Sequence, residues 1–399
     1  MPYDIKADFP FFKNNKDVVW LDSAATAQKP ECMAAALTDF YNNHNSNVSR
    51  GEYPAADAAT RLYEEARATA ARWFGVSPEA VAFTSGATDS LSAAADAVGE
   101  RVSRGDNMIV SALEHNSALL PIMRICEKQG AELRYIPLLP DGGLDLDALP
   151  SLADERTRAA VVTAGSNVSG YRTPLEEVCG FFSDRKIPLV VDAAQAAAHG
   201  RIDASGLCFE YMCVSAHKLY GPTGTGLLIA GSDAALNRAW RPGGGTVLSV
   251  GKDGCVKKSG AAGVEAGTPN AAGAFAFAKV LDYLSGIGIE DFWRKEARLA
   301  ETLRERLAAL GMRVVPGGKD PFPVVSFDPG FIHPLDAARL LGSMGICVRN
   351  GRHCAHIAHD ALGFDSTLRA SFGVYNDESD VERLCGALAF LKGRYGNVS

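Results

Sequence analysis

The sequence has no window of about 18 apolar residues free of charge, which is what a membrane-spanning helix requires. It has no excess of basic residues. The formal net charge is −7, and a general nucleic-acid binder is excluded because phosphate backbones reward a net basic surface. It has no internal repeat, no low-complexity tract and no Cys-x-x-Cys pair, so solenoids, disordered chains and the commonest zinc and redox frameworks drop out. The first residues, MPYDIKADFPFF, carry acids where a secretory leader has a basic and then an apolar region. The nine cysteines are odd in number and several sit in apolar runs. Both features predict a cytoplasmic protein with mostly buried, free thiols.

What is there is an ordinary globular composition, 47% hydrophobic and 22% charged over 399 residues, enough for more than one domain and a large core. Leu62, Ala66, Trp73 and Phe74 recur near helical spacing and predict a helix over 57–75, stopped by Gly75. Short apolar runs then alternate with helical stretches. Strands are expected at 80–84, 108–111, 133–137, 159–163, 187–191, 211–215 and 226–230, with helices at 117–129 and 174–185 among them. Runs apolar on both faces predict a mainly parallel sheet covered by helices. The pattern changes near 275. A helical stretch over 276–310 breaks at Gly286-Ile-Gly288, short strands follow at 313–315 and 324–327, and helices are expected at 334–344 and 379–394. The expected architecture is therefore α/β: a large domain over 20–275, and a smaller α+β domain built from 1–19 and 276–399. The glycine-rich stretches at 243–245 and 260–267 predict loops.

Chemistry concentrates at a few places. In Ser215-Ala-His217-Lys218-Leu-Tyr-Gly-Pro-Thr-Gly224 a lysine follows an apolar strand, where burial would lower its pKa and free the amine for covalent chemistry with a carbonyl. Asp192 ends the strand at 187–191, with Gln195 three residues on. At the carboxyl end of a parallel strand an acid faces the ligand crevice, although it can equally cap the next helix. Thr84-Ser-Gly-Ala87-Thr88-Asp-Ser90 leads from a strand into a helix start, suited to a phosphate or simply a capped helix. His115, in Glu114-His-Asn116, is either structural or an acid/base group. Arg349-Asn-Gly-Arg352-His353-Cys354-Ala-His356-Ile-Ala-His359 gathers three histidines and a thiol. No second ligand group stands at zinc-like spacing, so metal is not expected; a thiol beside Arg349, Arg352 and His353 is in electropositive surroundings that favour a nucleophilic thiolate.

Taken together these residues resemble the class V, fold-type I family of pyridoxal-phosphate (PLP) enzymes, and within it the SUF-type cysteine desulfurases and selenocysteine lyases. The likeness runs from Leu21-Asp-Ser-Ala-Ala25, through Glu265-Ala-Gly-Thr-Pro-Asn270, to Arg369-Ala-Ser-Phe-Gly-Val-Tyr-Asn376. The Arg-x-Gly-x-x-Cys-Ala loop followed by Arg369 singles out the desulfurase branch. The resemblance implies a homodimer converting L-cysteine to L-alanine, with a persulfide on Cys354 passed to a sulfur-acceptor protein for iron–sulfur or other sulfur biosynthesis. L-selenocysteine cleavage, or another class V β-lyase or aminotransferase reaction, is the alternative. Lys218 is implied to hold PLP covalently and move the Cα proton, Asp192 to pair with the ring nitrogen, and Gln195 to contact the ring hydroxyl. His115 is implied to stack on the ring as acid/base. Ala87, Thr88, Ser215 and His217 would hold the phosphate, with Thr268 from the neighbouring subunit, while Asn167 and Arg369 take the substrate carboxylate. The chain departs from the family pattern at Asn116, Ala164, Arg352 and Ser49-Arg50-Gly51-Glu52-Tyr53, positions implied to line the mouth of the site.

Overall fold

The computed structural model describes residues 4–396. Its centre is a seven-stranded sheet of β1 (Val81–Thr84), β2 (Asn107–Ser111), β3 (Glu132–Ile136), β4 (Thr157–Thr163), β5 (Leu189–Asp192), β6 (Tyr211–Ser215) and β7 (Gly226–Ala230). The spatial order is β1-β7-β6-β5-β4-β2-β3. Every pair is parallel except the two made by β7, which runs antiparallel to β1 and to β6. The six strands other than the edge strand β3 are buried on both faces, as their apolar runs require, while β3 is partly exposed.

The reversal at β7 is a departure from simple parallel order, and chain length explains it. A parallel return needs a crossover of a dozen or more residues, and the connection 216–225 is shorter than that. The chain therefore doubles back, and Lys218 sits in the resulting turn. Thr163 pairs with Asp192, Asp192 with Cys213, and Ser215 with Gly226, so the carboxyl ends of β4, β5 and β6 align along one edge.

The principal helices are α1 (Pro54–Phe74), α2 (Ala87–Gly99), α3 (Asn116–Gln129), α4 (Leu175–Asp184), α5 (Ala271–Gly286), α6 (Ile289–Ala309), α7 (Pro334–Ser343), α8 (His356–Leu362) and α9 (Glu378–Tyr395). The expected break at Gly286-Ile-Gly288 separates α5 from α6, whose axes differ by 80°. Gly288 takes a left-handed φ of 64°, which a residue with a Cβ resists. No single helix among the described residues is long and apolar enough to cross a membrane. A four-stranded antiparallel sheet holds Thr367–Ser371 at its interior, flanked by Val324–Asp328 and by Arg349–Gly351. Its apolar face, with Leu303, Phe327, Leu368 and Leu388, forms a hydrophobic cluster apart from those around the large sheet. Between the two glycine-rich stretches, 243–245 and 260–267, lies an antiparallel hairpin, Val247–Gly251 with Gly254–Lys257, whose Leu248, Val250 and Val256 are exposed.

Candidate active site

All the expected site residues except Cys354 and Thr268 line one cavity of about 170 Å³ at the aligned strand edge. Asp192 ends β5 and is buried; its Oδ1 accepts the Ala194 N–H at 3.0 Å. Burial holds its carboxyl above the usual range, against the pull of that bond and of Lys218. Lys218 stands across from it, its amine lowered to about 8 by burial; Arg369 and Arg349 push the same way and Asp192 opposes them. An amine in that range is uncharged in an appreciable fraction near neutrality, which a nucleophile and a base both require.

The end of the cavity expected to take a phosphate is built on α2. Ser215 Oγ accepts the Ala87 N–H at 3.1 Å, which ties the first turn of α2 to the end of β6. Thr88 Oγ1 and Ser117 Oγ lie 2.8 Å apart across the mouth. The N-terminal turns of α2 and α3 thus converge; the first-turn amides of α3 are taken by Cys354 and His115, so the amides left to a dianion are those of Thr88 and Asp89 on α2, aided by the positive dipole ends of both helices.

His115 caps α3. Its Nδ1 accepts the Ser117 N–H at 3.1 Å, so the ring proton of the neutral form is on Nε2. Burial, together with Lys218, Arg369 and Arg349, lowers it to about 4 and keeps the ring neutral near pH 7. Arg369, fully buried in Thr367–Ser371, donates from Nη1 to the Asn167 carbonyl (3.0 Å) and from Nη2 to Asp22 Oδ1 (3.1 Å), leaving Nε buried without a partner. Asn167 donates from Nδ2 to the His353 carbonyl at 2.7 Å, so it also holds the cysteine loop.

Cys354 lies beside the cavity, close enough for its charge to act on Lys218 and Arg369. His353 and Cys354 both take left-handed φ values, 49° and 55°, unusual for residues with a Cβ. The loop is over-determined by its bonds, with the Cys354 carbonyl accepting the Asn116 N–H at 2.7 Å. The electropositive surroundings expected of the thiol are narrower than the sequence implies. Arg352 is committed to Asp360 (2.6 Å) and to the Asp365 carbonyl (3.0 Å). His353 is buried and held neutral, so Arg349 is the cation of the three that lines the cavity. His353 and His359 share Thr367 Oγ1 through their Nε2 atoms, at 2.9 and 3.2 Å. Since His359 Nδ1 donates to the Ala355 carbonyl, His359 Nε2 accepts from Thr367 and His353 Nε2 donates to it. Those two histidines are hydrogen-bonded packing residues. No cluster of three or more His, Cys, Asp or Glu placed to hold a metal occurs among the described residues.

Thr268 lies elsewhere, lining a second cavity with Thr84, Asp89 and Arg241. Two site residues escaped the sequence. Glu114, read only as a neighbour of His115, is buried between β2 and β4, where Oε1 accepts Ser111 Oγ–H and the Thr163 N–H and Oε2 has no partner. Lys29 donates to the His217 carbonyl at 2.7 Å, and burial lowers it to about 7. A glutamate three residues past the end of a buried strand was a readable signal for the first; nothing local marks the second.

The aminotransferase class-V model matches residues 19–384. The chain belongs to that family. A cysteine desulfurase from Cronobacter sakazakii is 36% identical over 392 residues, 96% of each chain. Among solved structures, the apo cysteine desulfurase from Thermococcus onnurineus superimposes with a TM-score of 0.92 at 33% identity, and a cysteine desulfurase from Escherichia coli with 0.90 at 34%, each covering 98% of both chains. The family's cofactor is PLP, and the cavity fits it. A buried acid is placed for the ring nitrogen, the buried Gln195 amide for the ring's polar substituent, helix amides for the phosphate, and Lys218 for the aldehyde.

Proposed function

We propose that this class V enzyme converts L-cysteine to L-alanine, Cys354 taking the sulfur as a persulfide: cysteine plus the Cys354 thiol gives alanine plus Cys354–S–SH. The observation that carries this reading is one cavity that joins Lys218, Asp192 and Arg369, with a thiol on the adjoining loop. Bound PLP would supply the electron sink for C–S cleavage. Asp192 would hold its ring nitrogen protonated, and Gln195 would meet the ring hydroxyl. Ala87, Thr88, Ser215 and His217 would enclose the phosphate. Lys218, with its lowered pKa, moves the proton at Cα. Neutral His115 presents Nε2–H to the cavity, and Arg369 Nε and Asn167 orient the carboxylate. Cys354 is the soft nucleophile that sulfur requires.

Finer readings go with this one. The division into a large domain over 20–275 and a small one from 1–19 and 276–399 is supported by the separate apolar cluster of the small sheet. A homodimer with Thr268 lent to the partner's phosphate site is supported by its distance from its own chain's Lys218 cavity. Transfer of sulfur to an acceptor protein for iron–sulfur assembly follows from the persulfide chemistry. A cytoplasmic site accords with nine cysteines that are all free.

The test is to incubate the PLP-loaded protein with L-cysteine or L-selenocysteine and a reductant, and to score alanine, sulfide or selenide, and keto acid. Alanine and sulfide in equal amounts are expected. Borohydride should fix PLP on the Lys218 peptide, and Lys218→Ala should abolish that adduct. After a brief cysteine pulse without reductant, sulfur should appear on Cys354, and Cys354→Ala should lose at least about a hundredfold in desulfuration. Full activity in Cys354→Ala, or sulfur on another cysteine alone, overturns the persulfide assignment.

A further inference from the structure

Behind Gln195 a chain of hydrogen bonds leaves the cavity and runs into the core. Gln195 Nε2 lies 2.9 Å from His199 Nε2, and His199 Nδ1 lies 2.9 Å from Glu296 Oε2. The other carboxylate oxygen, Oε1, accepts from Tyr220 OH at 3.3 Å, and Tyr220 OH accepts the Val374 N–H at 3.0 Å. All four side chains are buried, Glu296 to 1% exposure and His199 to 4%. Glu296 comes from α6, and it is the one carboxylate in this chain.

The polarity of the chain follows from the donors available. An ionised carboxylate only accepts, so His199 Nδ1 carries a proton and donates to Glu296. The Gln195 amide nitrogen only donates, so His199 Nε2 accepts one of its N–H groups. That fixes which way the amide faces, and leaves its second N–H and the unpartnered Oε1 for the cavity side. Without His199 the amide can turn over at small cost, since its oxygen has no other partner. Phe322 packs against the His199 ring and carries the Arg172 guanidinium 4.1 Å from its own ring centre. Trp293, also from α6, donates to the Ala198 carbonyl at 2.9 Å and keeps the short Ala196–His199 helix in place.

We propose that Glu296 and His199 are positioning residues that hold the Gln195 amide with an N–H toward the ring oxygen of bound PLP. The same carboxylate reaches the Lys218 turn through Tyr220, whose left-handed φ of 59° is kept by bonds on both sides of its hydroxyl. A carboxylate on α6 thereby steadies two cofactor-facing segments of the large sheet. The inference rests on the PLP reading above and assigns it two residues outside the cavity wall.

A donor aimed at the ring oxygen stabilises it as an anion, so the pH midpoint of the visible absorption band of bound PLP reports on the amide directly. In the PLP-loaded protein, His199→Phe should move that midpoint up by about one unit, the effect of one hydrogen bond to a charged group. Glu296→Gln should move it the same way by less, and His199→Gln, which restores an acceptor, should return it toward wild type. Crossing each with Gln195→Ala separates positioning from general loosening: in that background the His199 and Glu296 substitutions should shift nothing further. A midpoint unmoved in both Glu296→Gln and His199→Phe, or a shift of equal size with and without Gln195, overturns the proposal. If His199→Phe does not fold, the near-isosteric Glu296→Gln decides in the same cross. A wild type that binds PLP and makes alanine but fails this cross overturns the relay alone, whereas a wild type with no PLP band overturns the parent reading as well.

Discussion

Glu114 is a carboxyl with almost no exposure to solvent, so its protonation is governed by burial. Burial raises its carboxyl to about 8; the charge of Asp192 adds to this, and the two bonds to Oε1 oppose it. The sign of the consequence follows from proton counting. Between its ordinary value of 4.5 and about 8 the folded state keeps a proton that the unfolded chain has released. Its contribution to stability is therefore complete below pH 4.5 and declines as pH rises toward 8, by about 1 kcal/mol per unit. Glu114→Gln keeps an acceptor for Ser111 and Thr163 and cannot ionise. Thermal unfolding from pH 5 to 8 should show the wild type losing stability relative to the variant as pH rises; parallel curves would mean that Glu114 does not hold its proton.

At the scale of elements, the site depends on a close approach of backbones. Gly226 opens β7 opposite Ser215, and a Cβ there would stand 2.5 Å from Gly86 Cα and 2.7 Å from Gly86 C. Gly86 is the residue before α2, with φ of 151°, and sets the direction of the amides that face the proposed phosphate site. Gly226→Ala should push the start of α2 away from β6. The expected result is a loss of about 1–3 kcal/mol of stability and at least tenfold weaker PLP binding, read by dialysis and absorbance. Unchanged PLP affinity would place the phosphate elsewhere. The cysteine loop is the second such element. Its left-handed residues persist because Asn167 and Asn116 hold the carbonyls of His353 and Cys354, so the thiol is presented by a fixed turn.

At the scale of the whole molecule, Glu265 joins distant parts. It accepts from Arg67 at 2.6 Å and from the Phe83 N–H at 2.8 Å, anchoring the Glu265–Asn270 segment to α1 and β1. Glu265→Ala leaves Arg67 its bonds to Glu64 and to the Val81 carbonyl but removes its buried partner and the acceptor of the Phe83 N–H, and should cost about 1–3 kcal/mol. The proposed dimer is tested by sedimentation at micromolar concentration. A single dimeric species is expected, and Glu265→Ala should weaken it by displacing Thr268. Full activity in a clean monomer would remove Thr268 from the site. The exposed Leu248, Val250 and Val256 on the hairpin give the surface an apolar patch of the kind that a subunit contact covers.

The local sequence by itself determined the elements that alternate by rule. Continuous apolar runs marked the strands of the large sheet, Gly286-Ile-Gly288 marked the turn between α5 and α6, and small residues marked the start of α2. Lys218, Asp192 and Cys354 were legible because each stands at the end of a strand or in a glycine-containing loop, where a side chain of that type has a chemical reason to be. Only the tertiary structure decided that β7 reverses, because strand direction depends on the length and packing of a connection and not on the strand's own pattern. It alone removed Arg352 from the thiol by giving that guanidinium to Asp360, and it alone brought Lys29, Glu114, His199 and Glu296 to the site. Those residues act through burial and long-range hydrogen bonds. Desolvation and partner geometry are properties of the packed chain, and no spacing along the sequence encodes them.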